Sequence, residues 1–541
     1  MFIHRNTKRV GDKVYHSTLL MESYREGGKV KHRTLANLSR WKPEQVEMLD
    51  AMLKGELLPA GEVSLGPGRG YGALAAVCEI ARELGIVEAL GEGKKASLTL
   101  LMAAARLIIQ GSKLACSRWA RGQATQEILG IAPPTEDDLY SAMDWALANQ
   151  VRIEDEIYDL RRKKEGRETA PTLFLYDVTS SYLEGECNEL AAYGYNRDKK
   201  KGKKQVVVGL LTDGEGFPLS VEVFPGSTQD ISTLAPQIKK LSTRFSAQRV
   251  VLVGDKGLIR SAQVDEISEH DFSYITSISR PEMESLARRG VIQLSLFDKD
   301  LVEVREGSVR YILRRNPQRA EERRANRRER LTKALSELAE EASSLSSSQR
   351  KNPRKTYDRM VVMLSKLRLS KFLKLSLEGR ELSFAVDEEA LSSAEALDGC
   401  YCIKTDLPRK EMGAEEVHDR YKDLALVEQA FRDLKSGLLE IRPLNHRKAT
   451  RTRAHAFICM LALMVAHEMR RRLSGSDVPL QHAIRALDRI QIATISIGST
   501  SLERVSSPDE EQGKILDRLS LKIPPVAPQG TVGTKTRCRV S

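Results

Sequence analysis

Two runs of consecutive apolar residues near the middle of the chain each lead into an aspartate. Residues 172–179 read Thr-Leu-Phe-Leu-Tyr-Asp-Val-Thr and contain Asp177, and residues 249–255 read Arg-Val-Val-Leu-Val-Gly-Asp and end on Asp255. Such runs are typical of strands buried on both faces of a covered sheet, and we expect each strand to end at its aspartate. Because open α/β sheets place ligands beyond the carboxyl ends of their strands, both carboxylates are candidates for a functional site.

The segments around these two runs alternate between strand and helix patterns. Residues 205–212 and 217–224 flank the turn Asp-Gly-Glu-Gly and predict a hairpin. Helical patterns follow at 231–241 and 260–269, and residues 273–278 have the composition of a further strand. The predicted order β-β-β-α-β-α-β indicates an α/β fold with a mixed sheet and flanking helices.

Composition and charge narrow the class of protein. The chain has 541 residues, 41% of them hydrophobic, and a net charge of +12, which favours a polyanionic partner. The seven cysteines are scattered without a Cys-x-x-Cys pair, as expected in a reducing compartment. No apolar run approaches the roughly 18–20 residues of a membrane span, and the N-terminus lacks the apolar stretch of a signal peptide. We therefore expect a cytoplasmic protein.

Turn signals and composition shifts divide the rest of the chain. Apolar residues at spacings of three and four predict helices in residues 73–164, which either bind DNA or pack on the main domain. The glycine-rich stretch 66–72 lacks the Gly-Lys-Ser/Thr ending of a phosphate-binding loop and is interpreted as a linker. The predicted parts are a basic β-hairpin module (1–60), the helical region (73–164), the first half of an α/β core (165–280), an inserted α+β subdomain (281–407), the second half of the core (408–480), and a C-terminal extension with a disordered tail (481–541).

A helix predicted at residues 414–436 supplies a third carboxylate. Tyr421, Glu428 and Lys435 recur every seven residues and share one stripe, with Arg432 beside it. The opposite stripe is expected to face the core and consists of Leu426, Val427, Ala430 and Leu434. The polar stripe either presents a carboxylate with a phenol and cations to a site, or is a solvated face with ordinary charge pairs.

Taken together, the three motifs resemble one family. Asp177 with Asp-Val-Thr, Asp255 with Gly-Asp-Lys-Gly, and Glu428 with Tyr-x6-Glu-x6-Lys resemble a bacterial insertion-sequence transposase, more narrowly one of the insertion-sequence-four superfamily. The resemblance covers about residues 165–470 and the basic start of the chain. It implies a ribonuclease H-like DDE nuclease core that an inserted subdomain interrupts before the last catalytic helix.

One position departs from the signature of that family. Leu424 stands where the signature has an arginine three residues after the tyrosine. Arg420, Lys422 or Arg432 could supply the charge. The departure concerns the handling of phosphate more than the three acids.

The resemblance implies a DNA transposase that cuts at the ends of its element and joins the 3′-hydroxyl ends to target DNA. Two divalent ions about 3.5–4 Å apart perform such chemistry, and Mg²⁺, with Mn²⁺ as a substitute, prefers carboxylate oxygens. Asp177 would bridge the two ions, and Asp255 and Glu428 would each bind one. Backbone phosphates are expected to be held by Tyr421, Arg432 and Lys435.

The implied partners are double-stranded DNA, both as terminal inverted repeats and as target, and a second copy of the chain in a synaptic homodimer near the nucleoid. A loop before the predicted hairpin is a candidate DNA contact through Lys199, Lys200, Lys201, Lys203 and Lys204. A helix predicted to begin at Asn316 and Pro317 has an arginine half and a leucine half. The arginine half either faces solvent or contacts DNA of the element ends. The residues that would make this contact are Arg323, Arg324, Arg327 and Arg328.

Two other functions stay open at this point. A nuclease of the same core could cut without joining. A DNA-binding regulator derived from a transposase would lack catalysis, which the three intact acids argue against.

Overall fold

The computed structural model describes residues 1–10, 13–55, 63–166, 172–185, 187–195, 197–198, 200–243, 250–259, 261–270, 272–298, 301–497 and 500–524. The chain forms two compact units. One unit contains Met1–Ala76, Arg118–Pro133 and His482–Ser541, and the other contains Val77–Ser117 and Pro134–Gln481.

The N-terminal part of the chain is a small sheet followed by helices. Its elements are β1 (Phe2–Val10), β2 (Lys13–Glu26), β3 (Lys29–Asn37), α1 (Pro43–Leu53), β4 (Val63–Leu65), β5 (Arg69–Gly70), α2 (Gly72–Glu83), α3 (Ile86–Leu90), α4 (Lys94–Ile108), α5 (Lys113–Ala120), α6 (Thr125–Leu129), α7 (Glu136–Ala148) and α8 (Gln150–Glu165). Where the sequence predicts a hairpin, β1, β2 and β3 form an antiparallel meander. Gly27 and Gly28 make the tight turn between β2 and β3 with φ of 59° and 75°, which glycine adopts without steric cost.

The segment from β6 to β10 folds in the predicted order. Its elements are β6 (Thr172–Tyr182), β7 (Gln205–Asp213), β8 (Pro218–Pro225), α9 (Leu234–Thr243), β9 (Val250–Gly254), α10 (Ser261–Glu269) and β10 (Ser273–Ser277). β6, β7 and β8 are antiparallel neighbours, β9 runs parallel to β6, and β10 runs parallel to β9. This arrangement confirms the predicted ribonuclease H-like mixed sheet with helices between its strands.

The segment after β10 adds strands to the same sheet. Its elements are α11 (Arg280–Arg288), β11 (Val302–Glu306), β12 (Val309–Arg315), α12 (Pro317–Ser347), α13 (Pro353–Lys366), β13 (Leu373–Glu378), β14 (Glu381–Val386), α14 (Glu388–Ala396) and β15 (Cys400–Thr405). β15 pairs with β10, and the sheet runs in the order β11-β12-β15-β10-β9-β6-β7-β8. The predicted subdomain is therefore continuous with the core sheet at one edge, whereas α12, α13 and the β13–β14 hairpin share an apolar cluster of their own.

The last part of the chain contributes helices to the core and strands to a second small sheet. Its elements are α15 (Ala414–Lys422), α16 (Leu424–Lys435), α17 (Ala449–Leu473), α18 (Leu480–Asp488), β16 (Gln491–Ile497), β17 (Thr500–Val505) and α19 (Glu510–Leu519). α17 is buried along most of its length and packs against β8, α4 and α7. β16 pairs with β17, β4 and β5. The tail predicted to be disordered lies, from residue 525 on, outside the described residues.

None of the described helices is by itself long and apolar enough to cross a membrane. The consecutive helices α4 and α5, bent by 98° at their junction, satisfy the length and composition criteria only as a pair.

The glycine-rich stretch 66–72 is packed against neighbouring elements. The Gly66 N–H donates to the Thr494 carbonyl at 2.8 Å. A Cβ on Gly72 would lie 2.4 Å from the Leu487 carbonyl oxygen, a distance that no side chain tolerates. The linker interpretation is therefore wrong, because these glycines allow close backbone approach and do not provide a flexible connection.

Helix α12 begins where the sequence predicts it to begin. One arginine of this helix, however, has a different environment from the one predicted. The Asn316 side chain accepts the N–H of Arg319 at 3.0 Å, as an N-cap does. The guanidinium of Arg327 donates to both oxygens of Asp398 at 2.7 Å, and the Asp398 side chain is 0% exposed. Arg327 is therefore a structural residue, which corrects the expectation that it lies along DNA. Its partner is 71 residues away in sequence, so no local pattern could indicate it.

Arg327→Met should lower the free energy of unfolding by about 3–5 kcal/mol, because it leaves the buried Asp398 carboxylate without its cation. Denaturant unfolding followed by circular dichroism measures the change. Arg328→Met, on the exposed side of the same helix, is the matched control and should stay within about 0.5 kcal/mol. Equal small effects in the two variants would contradict the assignment.

Candidate active site

The parallel pairing of β6 with β9 brings Asp177 and Asp255 side by side. Leu175 pairs with Val253, so each aspartate stands two positions farther along one of two neighbouring strands. Neighbouring strands lie about 4.8 Å apart. Asp255 follows β9 directly, as predicted, but β6 continues to Tyr182. Asp177 therefore lies within its strand and not at its end, because β6 goes on pairing with β7 after β9 has stopped.

Each aspartate is oriented by the backbone of the residue that follows it. In both cases Oδ1 accepts the N–H of that residue at 2.7 Å. Burial raises the pKa of Asp177 to about 7, and the negative charges of Asp255 and Glu428 add to the rise, while Arg197 opposes it. A nearby cation would therefore favour the ionised form of Asp177 at neutral pH.

Glu428 lies on α16, which packs on β6. The buried side of this helix consists of Val427, Ala430, Phe431 and Leu434. Leu426, predicted for the same side, is 38% exposed, because the helix turns Phe431 and not Leu426 to the core. The exposed Glu428 lines a cavity of about 500 Å³ together with Asp177 and Asp255. The structure therefore brings the three predicted carboxylates to one cavity.

The single helix predicted around Tyr421 and Glu428 is two helices, α15 and α16, that meet at Asp423. The Tyr421 hydroxyl donates to the Oγ of Ser277, at the end of β10, at 2.8 Å. Burial raises the pKa of Tyr421 to about 12, and the charges of Asp255 and Glu428 contribute to the shift. The phenol is therefore protonated at neutral pH and lies close to two of the three carboxylates.

Four cations line the same cavity, namely Arg197, Arg432, Lys435 and Arg442. The Lys435 Nζ lies 2.8 Å from Asp198 Oδ1, which also pairs with Arg442. The Asp198 side chain is 2% exposed. Asp198 was not among the predicted site residues, although an acid inside a lysine-rich run was the signal that could have revealed it. Lys435 thus already has an acidic partner.

Three cations were considered as replacements for the signature arginine that is missing at Leu424, and their positions differ. Arg420 and Lys422 pair with neighbouring aspartates at 3.2 and 3.7 Å. Arg432 instead lines the cavity with the three acids. Of these three cations, only Arg432 is among the residues that line the cavity.

The other described basic residues that were predicted to contact DNA do not line the cavity. In the lysine-rich loop, Lys200, Lys201 and Lys203 are exposed and Lys204 is half-buried, whereas Lys199 lies outside the described residues. Lys203 pairs with Glu184 at 2.7 Å. On α12, Arg323 and Arg328 are exposed and Arg324 is half-buried. Their contact with DNA stays a prediction.

The three acids suit a hard divalent ion by their chemistry. Asp177, Asp255 and Glu428 offer only carboxylate oxygens, which Mg²⁺ and Mn²⁺ prefer. The raised pKa of Asp177 reflects burial and local negative charge, both of which a bound cation would offset. Among the described residues, no three Asp, Glu, His or Cys side chains form a ready-made metal-binding group. The carboxylates thus share a cavity without converging on one point.

Comparison with known proteins identifies two sequence families. The model described as "Transposase DDE domain" matches residues 168–465, more than half of the chain, and this range includes all three acids. The model described as "IS1634 family transposase, N-terminal domain" matches residues 3–62. The narrower placement in the insertion-sequence-four superfamily is not confirmed, because this N-terminal match is to a different family.

No curated protein shows a significant match to the sequence. Among solved structures, a cryo-EM structure of the piggyBac transposase synaptic complex with hairpin DNA is similar over 74% of this chain and 70% of that chain, with a TM-score of 0.36 and 9% sequence identity. A likeness at that level is too weak to support conclusions about this chain.

The raised pKa of Asp177 predicts how stability depends on pH without divalent ions. Because the folded-state pKa of about 7 exceeds the ordinary value of 3.8, the protonated group stabilises the fold at low pH. That contribution is lost as the pH rises through the folded-state value. Asp177→Asn should therefore gain stability relative to wild type between about pH 5 and about pH 8, in denaturant unfolding with a chelator.

Glu415→Gln, which removes an exposed carboxylate from α15, serves as the control for the loss of one negative charge and should change the stability by no more than about 0.5 kcal/mol. Added Mg²⁺ should stabilise the wild type at the higher pH more than it stabilises Asp177→Asn. A constant difference between Asp177→Asn and wild type across the pH range would show that Asp177 does not titrate in this way.

Proposed function

The chain belongs to the DDE transposase family, and we propose that it binds the ends of an insertion sequence, cuts there and joins the 3′-hydroxyl ends to target DNA. The observation that carries this proposal is the meeting of Asp177, Asp255 and Glu428 at one cavity. Cations on the wall of that cavity supply the attraction that a phosphodiester backbone requires.

We infer that the three carboxylates hold two Mg²⁺ ions, for which Mn²⁺ can substitute. Two such ions, when bound, activate the attacking oxygen and stabilise the leaving oxygen of an in-line displacement. Asp177 is suited to be the shared ligand, because the charges of both other acids act on it. Asp255, oriented by the Lys256 N–H, and Glu428, exposed on α16, would each hold one ion.

The neighbouring side chains then position the DNA. Arg432, exposed at the cavity, can donate two parallel hydrogen bonds to phosphate oxygens. Lys435, paired with the buried Asp198, would hold its ammonium at one place on the cavity wall and meet phosphate from there. Tyr421 would act as a neutral donor beside Asp255 and Glu428, which suits positioning more than charge neutralisation.

We propose two kinds of partner for this site. Double-stranded DNA binds as the inverted repeats of the element and as the target, in the cytoplasm of the host cell. A second copy of the chain would pair with the first in a synaptic homodimer, because the two element ends must be processed together. Exposed basic residues beyond the cavity would extend the DNA contact, and these are Lys200, Lys201, Arg323 and Arg328.

Replacing any of the three acids by alanine should abolish metal-dependent cleavage of a duplex that carries the inverted repeat flanking this reading frame. Each replacement removes an ion ligand but no contact to the DNA backbone, so binding should stay close to that of wild type. Gel assays of cleavage and of binding measure the two effects separately. The variants are Asp177→Ala, Asp255→Ala and Glu428→Ala.

Glu415→Gln, an exposed acid on α15, is the matched control and should leave cleavage unchanged. Near-wild-type cleavage by one of the three alanine variants would remove that residue from the catalytic set. A duplex with a preformed 3′-hydroxyl end, offered with a target plasmid, should yield joined products; cleavage without joining would indicate a nuclease that only cuts.

Arg432→Gln should weaken binding to DNA of any sequence and flatten its salt dependence by about 0.9 in slope for one lost phosphate contact. Lys435→Met should weaken binding in the same sequence-independent way and should also lower the stability of the fold, because it leaves Asp198 with fewer partners. Salt titrations and unfolding curves of both variants distinguish these roles. An unchanged salt slope in folded Arg432→Gln would refute the phosphate contact.

A further inference from the structure

Two solvent-exposed tyrosines lie on a loop that also contributes residues to the wall of the active-site cavity. Tyr193 is 66% exposed and Tyr195 is 84% exposed, and both lie in the loop that joins β6 to β7. Single exposed apolar residues are ordinary features of protein surfaces. Two large aromatic side chains on one loop are less ordinary, because an aromatic ring normally contributes its large apolar surface to a core or an interface.

The backbone of residues 192–195 contacts the start of β7 and the residue that follows β8. Ala192 and Gln205 exchange two backbone hydrogen bonds of 3.1 and 3.0 Å, and the Gln205 side chain donates to the Tyr195 carbonyl at 3.2 Å. Between the two tyrosines, a Cβ on Gly194 would lie 2.2 Å from the Gly226 carbonyl oxygen. The backbone at Gly194 thus packs closely against Gly226, whereas Tyr193 and Tyr195 on either side of it are exposed to solvent. The backbone that carries the two rings is therefore fixed before binding, which reduces the conformational entropy lost when a ligand binds.

The same loop forms part of the cavity wall. Arg197 lines the cavity together with Asp177 and pairs with Asp230, which lines it too. The Arg197 guanidinium lies 5.9 Å from the centre of the Tyr195 ring. The exposed Lys200 and Lys201 follow in the chain. The loop that lines this cavity therefore carries two exposed aromatic rings and several cations, close in sequence to the place where the reacting phosphate is proposed to lie.

We propose that Tyr193 and Tyr195 form a stacking platform for unpaired DNA bases next to the cleavage site. Aromatic rings stack on any base, and a cationic surface beside them follows the backbone of a single strand. Bases inside a duplex are stacked on one another and cannot offer their faces, so the platform binds only ends whose last nucleotides are unpaired. The inference rests on the proposed function, because it takes DNA as the ligand of the adjoining cavity.

The platform is tested by binding in the presence of a chelator, so that no cleavage is needed. One probe is the element-end duplex with two unpaired terminal nucleotides, one of them 2-aminopurine, and the other probe is the same duplex fully paired. Wild type should quench the fluorescence of the unpaired 2-aminopurine. The double variant Tyr193→Ala/Tyr195→Ala should bind the unpaired probe about tenfold more weakly and the paired probe equally well.

Two variants sharpen the result. Tyr195→Trp keeps an aromatic face and should retain the quenching, and Trp41→Ala removes a 48% exposed aromatic ring outside the loop and should change nothing. Absence of quenching with wild type, or equal weakening on both probes, would overturn the platform while leaving the proposed function standing. A wild type that bound neither probe would overturn the proposed function as well.

Discussion

The in-register parallel pairing of β6 with β9 is the constraint on which the site depends. It sets Asp177 beside Asp255, and a slip of one residue would turn one of the two carboxylates to the other face of the sheet. The register is held by apolar side chains that are buried along both strands. α16 packs on β6 through its own apolar side and thereby fixes Glu428 over the same cavity. Apolar burial thus holds together three groups whose charges repel one another.

That repulsion affects the protonation of the acids in the cavity. The raised pKa of Asp177 reflects burial together with the two nearby acids. Asp198, on the same wall, is in the opposite situation, because Lys435 and Arg442 neutralise it. Asp230, also on this wall, pairs with Arg197. The cavity therefore contains two acids that already have cationic partners and three acids, Asp177, Asp255 and Glu428, for which the described residues show no such close ion pair. Only the latter set is suited to bind metal ions.

The segment inserted between β10 and α15 has a structural role in this arrangement. Its strands β12 and β15 extend the core sheet, so the chain returns beside β10 before it enters α15. From there the Tyr421 hydroxyl reaches Ser277 at the end of β10. Within the insertion, the ion pair of Arg327 with Asp398 connects α12 to the start of β15. The sheet thereby joins the insertion to the core, and the buried charge pair holds α12 to the strand that makes this connection.

The sequence by itself determined the order of the strands and helices from β6 to β10, the three acids of the candidate site and the start of α12. These features depend on apolar periodicity and on caps, which act between residues close in the chain. The tertiary structure decided that Asp177 lies inside its strand, that Lys435 has Asp198 as its partner, and that Arg327 is buried. Each of these outcomes depends on a contact between residues far apart in sequence. The sequence pattern around a charged residue is the same whether its side chain contacts solvent, DNA or a buried partner.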